Sequence, residues 1–115
     1  MINLKNNSDS IPELMESIPQ YFIPEKSEGV NAVIQFKLSG EQGGDWIVTI
    51  RNKECKVTKG NALDPRLVFS AEAQDCLDIL TDKLDAVKAF MMGRIALKGD
   101  IKLAMKLASF FKVTQ

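Results

Sequence analysis

The chain has 115 residues and contains no histidine. Histidine is the usual proton shuttle near neutral pH, and it completes Ser-His and Cys-His nucleophile pairs and many metal sites. Asp75 and Asp78, three positions apart on a predicted helix, could act as paired carboxylates. Both lie away from the apolar side of that helix, so we expect them to face solvent. The sequence therefore predicts a protein without enzyme activity, cofactor or metal site.

Two further motifs of reactive residue types have structural explanations. Cys55 and Cys76 lack the close spacing of a zinc or redox pair, and free cysteines are commonly buried, so both are predicted core residues. Gly43 and Gly44 suggest a phosphate-binding loop, but they lie between two predicted antiparallel strands and no Gly-Lys-Ser/Thr follows them. Hairpin geometry explains these glycines.

Length and charge restrict the class of protein. A chain of this length fits one domain, and we expect a flexible segment at residues 1–9 followed by a single domain at 10–115. Lysine plus arginine and aspartate plus glutamate number 15 each, so no global field attracts nucleic acid, which we exclude as the main partner. The chain begins with no cationic, apolar leader and has no apolar run long enough to span a bilayer. We therefore expect a soluble, cytoplasmic protein.

The first half of the chain has the pattern of β-strands. Residues 30–38 alternate between apolar and polar types, which predicts a half-buried strand. Residues 46–51 and 54–59 are the next two strands, and Asn52 and Lys53 suit a tight turn between them. These three strands are predicted to form an antiparallel meander.

The second half combines strands with helices. Residues 67–69 are predicted to form a fourth strand, with Ser70 as the N-cap of the helix that follows. The apolar residues of that helix recur at i, i+3, i+4 and i+7, which are Ala73, Cys76, Leu77 and Leu80. Because strands come first and helices later, the sequence predicts an α+β fold with helices on one face of the sheet.

The chain then alternates helix, strand and helix with almost no loop. Asp85 is the predicted N-cap of a short helix, and Gly93 can end that helix in a left-handed conformation. A strand at 95–98 follows and ends at Gly99. Asp100 is then well placed to cap the last helix, because its carboxylate can accept the free backbone N–H groups of the first turn.

The last predicted helix, residues 101–111, is apolar around most of its circumference. Its polar residues up to position 111 are Lys102, Lys106 and Ser109, which fall within about 60° of one another at about 100° per residue. A helix that lies on one sheet needs an apolar stripe of only about 100°. We therefore expect the remaining apolar surface of this helix to be covered by a second protein surface or by an apolar ligand.

The same region carries a resemblance to a known family. Residues 89–107 read AFMMGRIALKGDIKLAMKL, which resembles the C-terminal signature of the sterol carrier protein-2 family, AF-x-x-GK-x-K-x-x-GD-x-x-LAMKL. Residues 43–46, GGDW, resemble the glycine-rich hairpin of the family, and residues 64–70 resemble its fourth strand. Arg94 replaces the usual lysine, at a position where it should not close a cavity. The similarities follow one another over residues 30–111.

The resemblance implies a five-stranded, mostly antiparallel sheet with helices packed on one face, enclosing an apolar tunnel. It also implies non-catalytic binding, transfer or presentation of a fatty acid, fatty acyl-CoA, phospholipid or sterol or isoprenoid-like lipid. Burial of an acyl chain is favourable by about 0.8 kcal/mol per methylene, so we expect shape rather than charge to set selectivity. The residues predicted to line or gate the tunnel are Phe36, Trp46, Val48, Phe69, Leu77, Phe90, Met91, Leu103, Met105, Leu107 and Phe110.

Two other classes of function stay open. In the first, the apolar C-terminal helix packs against a second copy of the chain or against a lipid-modifying enzyme, as an oligomerisation or accessory module. The second is an enzyme in its own right, which the missing histidine disfavours. The expected partners are thus a lipid or acyl-chain ligand, a membrane in transient contact, and a homodimer partner or a lipid-metabolising enzyme.

Overall fold

The structure is a computed structural model that describes residues 11–41, 43–80 and 83–110. The segment 1–9, which we expected to be flexible, lies outside the described residues. Five strands form one sheet in the order β3-β2-β1-β4-β5. The strands are β1 (Ala32–Ser39), β2 (Gly44–Arg51), β3 (Glu54–Lys59), β4 (Leu67–Glu72) and β5 (Ile95–Gly99).

The sheet is mostly antiparallel, which confirms the predicted fold class. Strands β1, β2 and β3 form the expected antiparallel meander, β4 pairs with β1 in parallel, and β5 pairs with β4 in antiparallel orientation. The turn between β2 and β3 has positive φ angles of 52° at Asn52 and 63° at Lys53. Two left-handed residues form the type of two-residue turn whose twist matches that of a β-hairpin.

The helices are short and pack on one face of the sheet. They are α1 (Ile11–Ser17), α2 (Ala73–Leu80), α3 (Ala86–Met91) and α4 (Ile101–Leu107), and single turns of 3-10 helix follow at Ile18–Tyr21, Pro24–Ser27 and Ala108–Phe110. The alternate residues of β1 that point toward them, Ala32, Ile34 and Leu38, are buried. None of the helices in the described ranges combines the length and apolarity needed to cross a bilayer.

Strand β4 is longer than the sequence predicted. Ser70 lies within the strand instead of capping α2, because β4 pairs on one side with Lys37 of β1 and on the other with Ala96 of β5 at this position. Ladder hydrogen bonds to two neighbours keep the backbone extended to Glu72. The predicted apolar face of α2 is confirmed, since all four of its residues are buried.

Gln35 is a polar residue that the fold buries on the solvent side of β1. Its amide Nε2 donates to the carbonyl oxygens of Trp46 and Gly60, at 3.2 and 2.9 Å, and its Oε1 accepts from the amide of Ala62 at 2.7 Å. The side chain is only 1% exposed. Because its donor and acceptor atoms are satisfied, Gln35 fixes the segment that links β3 to β4 against the sheet.

Strand β5 leads directly into α4, and Gly99 and Asp100 form the connection. Gly99 has a φ of 110°, and a Cβ there would lie 2.4 Å from the carbonyl oxygen of Arg66. Asp100 caps α4 as predicted, because its Oδ1 accepts from the amide of Leu103 at 3.1 Å. Its Oδ2 accepts from Nε of Arg66, also at 3.1 Å. The Leu103 amide and then Arg66 hold the pKa of this carboxyl below its ordinary value of 3.8.

Helix α3 is capped by hydrogen bonds at both of its termini. Oδ1 of Asp85 accepts from the amide of Lys88 at 3.0 Å, which confirms the predicted N-cap. At the other end Gly93 has a φ of 77°, and the amides of Gly93 and Arg94 donate to carbonyls of the last turn at 3.1 and 2.9 Å. This pattern is a Schellman motif, in which a left-handed residue reverses the chain.

We predict that Gly99→Ala lowers the free energy of unfolding by about 1–3 kcal/mol from backbone strain, with a further loss from the contact with the Arg66 carbonyl. Gly40→Ala is the matched control, because Gly40 has a φ of 96° and a Cβ added there would have no atom within 4 Å. Urea unfolding of both variants separates the loss from backbone strain, which both variants share, from the loss caused by the contact with the Arg66 carbonyl, which only Gly99→Ala has. Equal losses in the two variants would show that the close approach to Arg66 contributes nothing.

We predict that the charge of Asp100 stabilises the fold only above acidic pH. A carboxyl whose pKa is lower in the folded state contributes stability above its unfolded pKa and loses it as the pH falls through the folded pKa. Asp100→Asn keeps an oxygen for the cap but cannot ionise. The difference in Tm between wild type and this variant should be present above pH 4 (roughly the unfolded pKa) and shrink below it. A difference independent of pH would contradict this assignment.

Candidate functional site

A row of half-buried apolar side chains crosses the helix-covered face of the sheet. The register places Phe36 of β1 beside Phe69 of β4, and Phe69 beside Leu97 of β5. The ring centroids of Phe36 and Phe69 are 5.0 Å apart. All three side chains are only partly buried, although the face of a sheet that lies beneath helices is normally buried from solvent. The helix layer therefore leaves this row incompletely covered.

The rows on either side of it are better covered. On one side, Val48, Ile34 and Leu67 are paired across three strands and are at most 3% exposed, although Val57 at the β3 end of this row is only half-buried. On the other side Leu38 and Ile95 are at most 6% exposed, whereas the small Ala71 between them is half-buried. On strands β1, β4 and β5 the large side chains that are incompletely covered are thus those of the middle row, which we call the strip.

The strip is closed at the β2 end by Trp46. This residue pairs with Phe36 and is buried, and Nζ of Lys59 lies 5.3 Å from the centroid of its ring. A lysine at this distance from an indole face is held by a cation–π interaction, and its aliphatic stem covers the ring. The half-buried strip therefore extends from β1 toward β5.

The strip also marks a boundary between two apolar clusters. The larger cluster joins α1, α2 and α4 to the sheet, and the smaller one consists of Ile79, Ala89 and Ile95. Phe69 packs against both clusters, and α4 packs on β4 and β5. We call the strip and the two half-buried side chains of α4 the seam, which comprises Phe36, Phe69, Leu97, Ala104 and Leu107.

The eleven residues predicted to line or gate a tunnel occupy three environments. Those that are buried in the core are Trp46, Val48, Leu77, Leu103 and Phe110. Those that are half-buried against the larger cluster, and that the seam includes, are Phe36, Phe69 and Leu107. Those that lie exposed on the outer sides of α3 and α4 are Phe90, Met91 and Met105. Their exposure does not suit an interior wall, so for these three only the gating role stays a prediction.

Two residues of the seam, Leu97 and Ala104, are absent from the predicted set. Leu97 could have been found because it shares one face of its strand with Ile95. Ala104 is a small, half-buried residue on the side of α4 away from Lys102 and Lys106. Neither signal distinguishes a residue that lines a cavity from a residue in a filled core, because that difference depends on how closely α4 approaches the sheet.

Two open concavities occur elsewhere on the surface. One of about 500 Å³ lies where the ends of β1, β4 and β5 meet Arg94, and one of about 420 Å³ lies around Asn31 and Arg66. None of the eleven predicted residues lines either of them. Both open broadly to solvent, so neither is the enclosed apolar tunnel that the sequence implied. That tunnel stays a prediction.

The prediction that Asp75 faces solvent is wrong. Asp75 is only 8% exposed, and its Oδ1 accepts from Nη2 of Arg94, with which it forms a salt bridge. Arg94 immediately precedes β5 and reaches the first turn of α2, so the pair connects two parts of the fold that are distant in sequence. Oδ1 of Asp78 accepts instead from Nε2 of Gln74 at 3.0 Å. The two carboxylates therefore have separate structural partners.

The thiols are suited to the core rather than to nucleophilic chemistry. Cys76 is buried and Cys55 is half-buried, and neither forms a disulfide. Burial raises the pKa of each thiol to about 12, so both stay protonated at neutral pH, and the protonated form is a poor nucleophile. Within the described ranges, no group of three or more His, Cys, Asp or Glu side chains could hold a metal ion.

The fold is that of a sterol-carrier-like domain, an α+β module of the lipid-binding class. The model of the SCP-2 sterol transfer family matches residues 18–112. The chain belongs to this family, as its C-terminal block indicated.

The curated relatives are much longer proteins. Hydroxysteroid dehydrogenase-like protein 2 of Mus musculus is 33% identical over 108 residues, which cover 93% of this chain and 22% of the relative. The Homo sapiens protein of the same name is 30% identical over 104 residues, covering 90% of this chain and 25% of the relative. The chain thus spans about a fifth to a quarter of the length of these relatives.

Solved structures agree with the fold. Sterol Carrier Protein 2 Like 2 from Aedes aegypti is 28% identical with a TM-score of 0.71, over 86% of this chain and 91% of that one. The solution structure of its palmitated form is 29% identical with a TM-score of 0.68, over 87% and 92% of the two chains. A sec-alkylsulfatase from Pseudomonas has a TM-score of 0.75 at 17% identity, over 85% of this chain and 16% of that one, which shows a shared fold.

We predict that Arg94→Ala lowers the free energy of unfolding by about 1–2 kcal/mol, because it leaves the buried Asp75 carboxylate without its cation. Arg94 is itself 43% exposed, so solvent screening keeps the loss below that of a fully buried pair. The double variant Arg94→Ala/Asp75→Ala should lose less than the sum of the two single variants. Asp78→Ala is the control on the same helix. Strict additivity in urea unfolding would contradict the coupling.

Proposed function

We propose that the chain binds the hydrocarbon part of a lipid, with an acyl chain lying along the seam between the helix layer and the sheet. The observation that carries this proposal is the half-buried row of Phe36, Phe69 and Leu97, which lies between rows whose large side chains on β1, β4 and β5 are buried. A core that needed no ligand would be expected to seal its central row at least as well as its flanking rows. An apolar chain in this position would complete the cover.

The chemistry of the seam suits a hydrocarbon rather than a polar ligand. All five of its side chains are apolar or aromatic. The half-buried row extends for about 10 Å along its length, from β1 to β5. Each methylene removed from water there would contribute about 0.8 kcal/mol, so an acyl chain needs no charged anchor. Ala104 is the small side chain on the helix side, and Leu107 is the larger neighbour whose size would limit the width of the ligand.

The comparisons support an acyl chain as the ligand. The Aedes aegypti protein whose solution structure is described as palmitated is 29% identical to this chain and overlaps 92% of its own length. Palmitate is a saturated acyl chain without a rigid ring system. We therefore propose a fatty acid or fatty acyl group as the first ligand to test, before a sterol, an isoprenoid or a whole phospholipid.

We further propose that residues 10–115 act as one non-catalytic domain that presents its lipid to a lipid-metabolising enzyme. The protonated thiols of Cys55 and Cys76 and the engagement of Asp75 by Arg94 leave these groups poorly suited to catalysis. The curated relatives are described as hydroxysteroid dehydrogenase-like proteins and extend well beyond the matched region, which supports an association with enzyme activity. The free thiols are compatible with a reducing compartment such as the cytoplasm.

We predict that Leu97→Trp and Leu107→Trp each weaken binding of cis-parinaric acid, a fluorescent acyl chain, by about tenfold or more, which is about 1.4 kcal/mol. The indole would occupy the space that the acyl chain needs. Ala96→Trp is the matched control, because Ala96 lies on the same strand but on the opposite face of the sheet. Fluorescence titration measures the affinity, and thermal unfolding checks that each variant is folded.

The same preparations distinguish lipid binding from the interface alternative. Native mass spectrometry of freshly purified wild type should reveal a bound lipid that the two seam variants lack. If α4 serves only as a protein interface, the wild type would be dimeric and free of lipid. Unchanged affinity in folded Leu97→Trp and Leu107→Trp would remove the seam as the binding site.

A further inference from the structure

We propose that the outer sides of α3 and α4 form a docking surface for an anionic phospholipid bilayer. The apolar patch of this surface consists of Val87, Phe90, Met91, Met92, Ile101 and Met105. The proposal goes beyond the proposed function, because docking on a bilayer does not require an occupied seam. It also gives a location to the transient membrane contact that the sequence suggested.

The apolar patch stands out from the rest of the described surface. Within residues 11–41, 43–80 and 83–110, large exposed hydrophobic side chains occur at the six patch positions and at Leu63. Met91 and Met105 are each 79% exposed. Single exposed apolar residues are common on protein surfaces, but a concentration on two helices indicates an interaction site.

The two helices present these side chains away from the sheet. Both helices pack against β5, which brings their exposed sides to the same edge of the domain. On α3 the buried residue is Ala89, so the larger Val87 and Met91 point outward. On α4 the buried residue is Leu103, and Ile101 and Met105 lie one turn apart on the opposite side. The patch is therefore a property of two amphipathic helices whose outer faces are also partly apolar.

The charge distribution identifies the kind of partner. Residues 83–110 contain six basic and two acidic residues, a net charge of +4, whereas residues 11–80 contain seven basic and eleven acidic residues, a net charge of −4. The two acidic residues of the positive segment, Asp85 and Asp100, accept hydrogen bonds from helix amides. The segment that carries the apolar patch is thus strongly basic, although the whole chain is neutral.

Three lysines of the two helices are available to a partner of opposite charge. Lys88, Lys102 and Lys106 are exposed, and none of them forms a salt bridge with another residue that the structure describes. A lysine has an aliphatic stem that can lie along acyl chains while its ammonium group stays among phosphate and carboxylate headgroups. An apolar patch with free lysines beside it matches the interface of an anionic bilayer.

The same charges argue against a second copy of the chain as the occupant. A two-fold interface places the same patch on both sides, so a dimer through α3 and α4 would bring two segments of net charge +4 together. Like charges at an interface are unfavourable, whereas anionic lipids would neutralise them. An acidic protein would also be attracted, and the test separates it by using vesicles alone.

The test measures co-sedimentation of the full chain with sucrose-loaded vesicles that contain equal amounts of phosphatidylcholine and phosphatidylserine. Lys102→Glu/Lys106→Glu should lower the partition coefficient by about tenfold or more. Val87→Ser/Met92→Ser removes apolar surface without changing charge and should lower it about threefold or more. Lys26→Glu/Lys56→Glu makes the same charge change away from α3 and α4, and Leu63→Ser removes an exposed apolar side chain outside the patch; both controls should retain binding.

The outcomes separate docking from lipid uptake and from self-association. Binding that weakens with added salt, is lost on phosphatidylcholine alone and is reduced only by the patch variants would support the proposal. Equal binding of patch and control variants would overturn it, as would a patch-dependent dimer in analytical ultracentrifugation without vesicle binding. Titration with cis-parinaric acid in the absence of vesicles reports on the seam separately, so failure of one proposal leaves the other measurable.

Discussion

The apolar inner face of the sheet has to be kept from water by helices of only six to eight residues. A helix of this length is about 9–12 Å long, whereas five strands spaced by about 4.8 Å are about 19 Å across. The helices therefore divide the face among them, and two apolar clusters form instead of one. Phe69 lies where the clusters meet, and the half-buried side chains of Phe36 and Leu97 continue the same boundary across neighbouring strands.

The position of α4 depends on polar contacts as well as on apolar packing. Gly99 lets the backbone approach Arg66, and Asp100 then joins the first turn of α4 to the Arg66 guanidinium. Arg66 also donates to the carbonyl oxygen of Asn31 at 3.2 Å. Because these contacts fix the beginning of the helix, α4 does not need to bury its whole apolar surface. Ile101, in its first turn, can therefore remain partly exposed while the helix stays attached to the sheet.

The fold was largely predictable because its main signals act over a few residues. The alternation of apolar and polar residues, with Val33 as the exception, located β1. The Asn52-Lys53 turn fixed the register of the next hairpin. The errors occurred where a distant partner decides the outcome. Ser70 is extended because strands on both sides continue past it, Asp75 is buried because Arg94 reaches it from another element, and Gln35 is buried because a later segment folds over it. No pattern of neighbouring residues in the sequence identifies these distant partners.

The candidate site was only partly predictable, because residue type does not tell an inner wall from an outer surface. On α3 the small Ala89 faces the sheet and the larger Met91 faces outward, since a short helix that lies close to β5 has no room for a long side chain beneath it. A net charge of zero predicts the absence of a long-range field, but it gives no information on where along the chain the charges lie. Among the described residues, most large exposed apolar side chains lie in the segment 83–110, which also carries the positive excess, so a sum over the whole chain hides this coincidence.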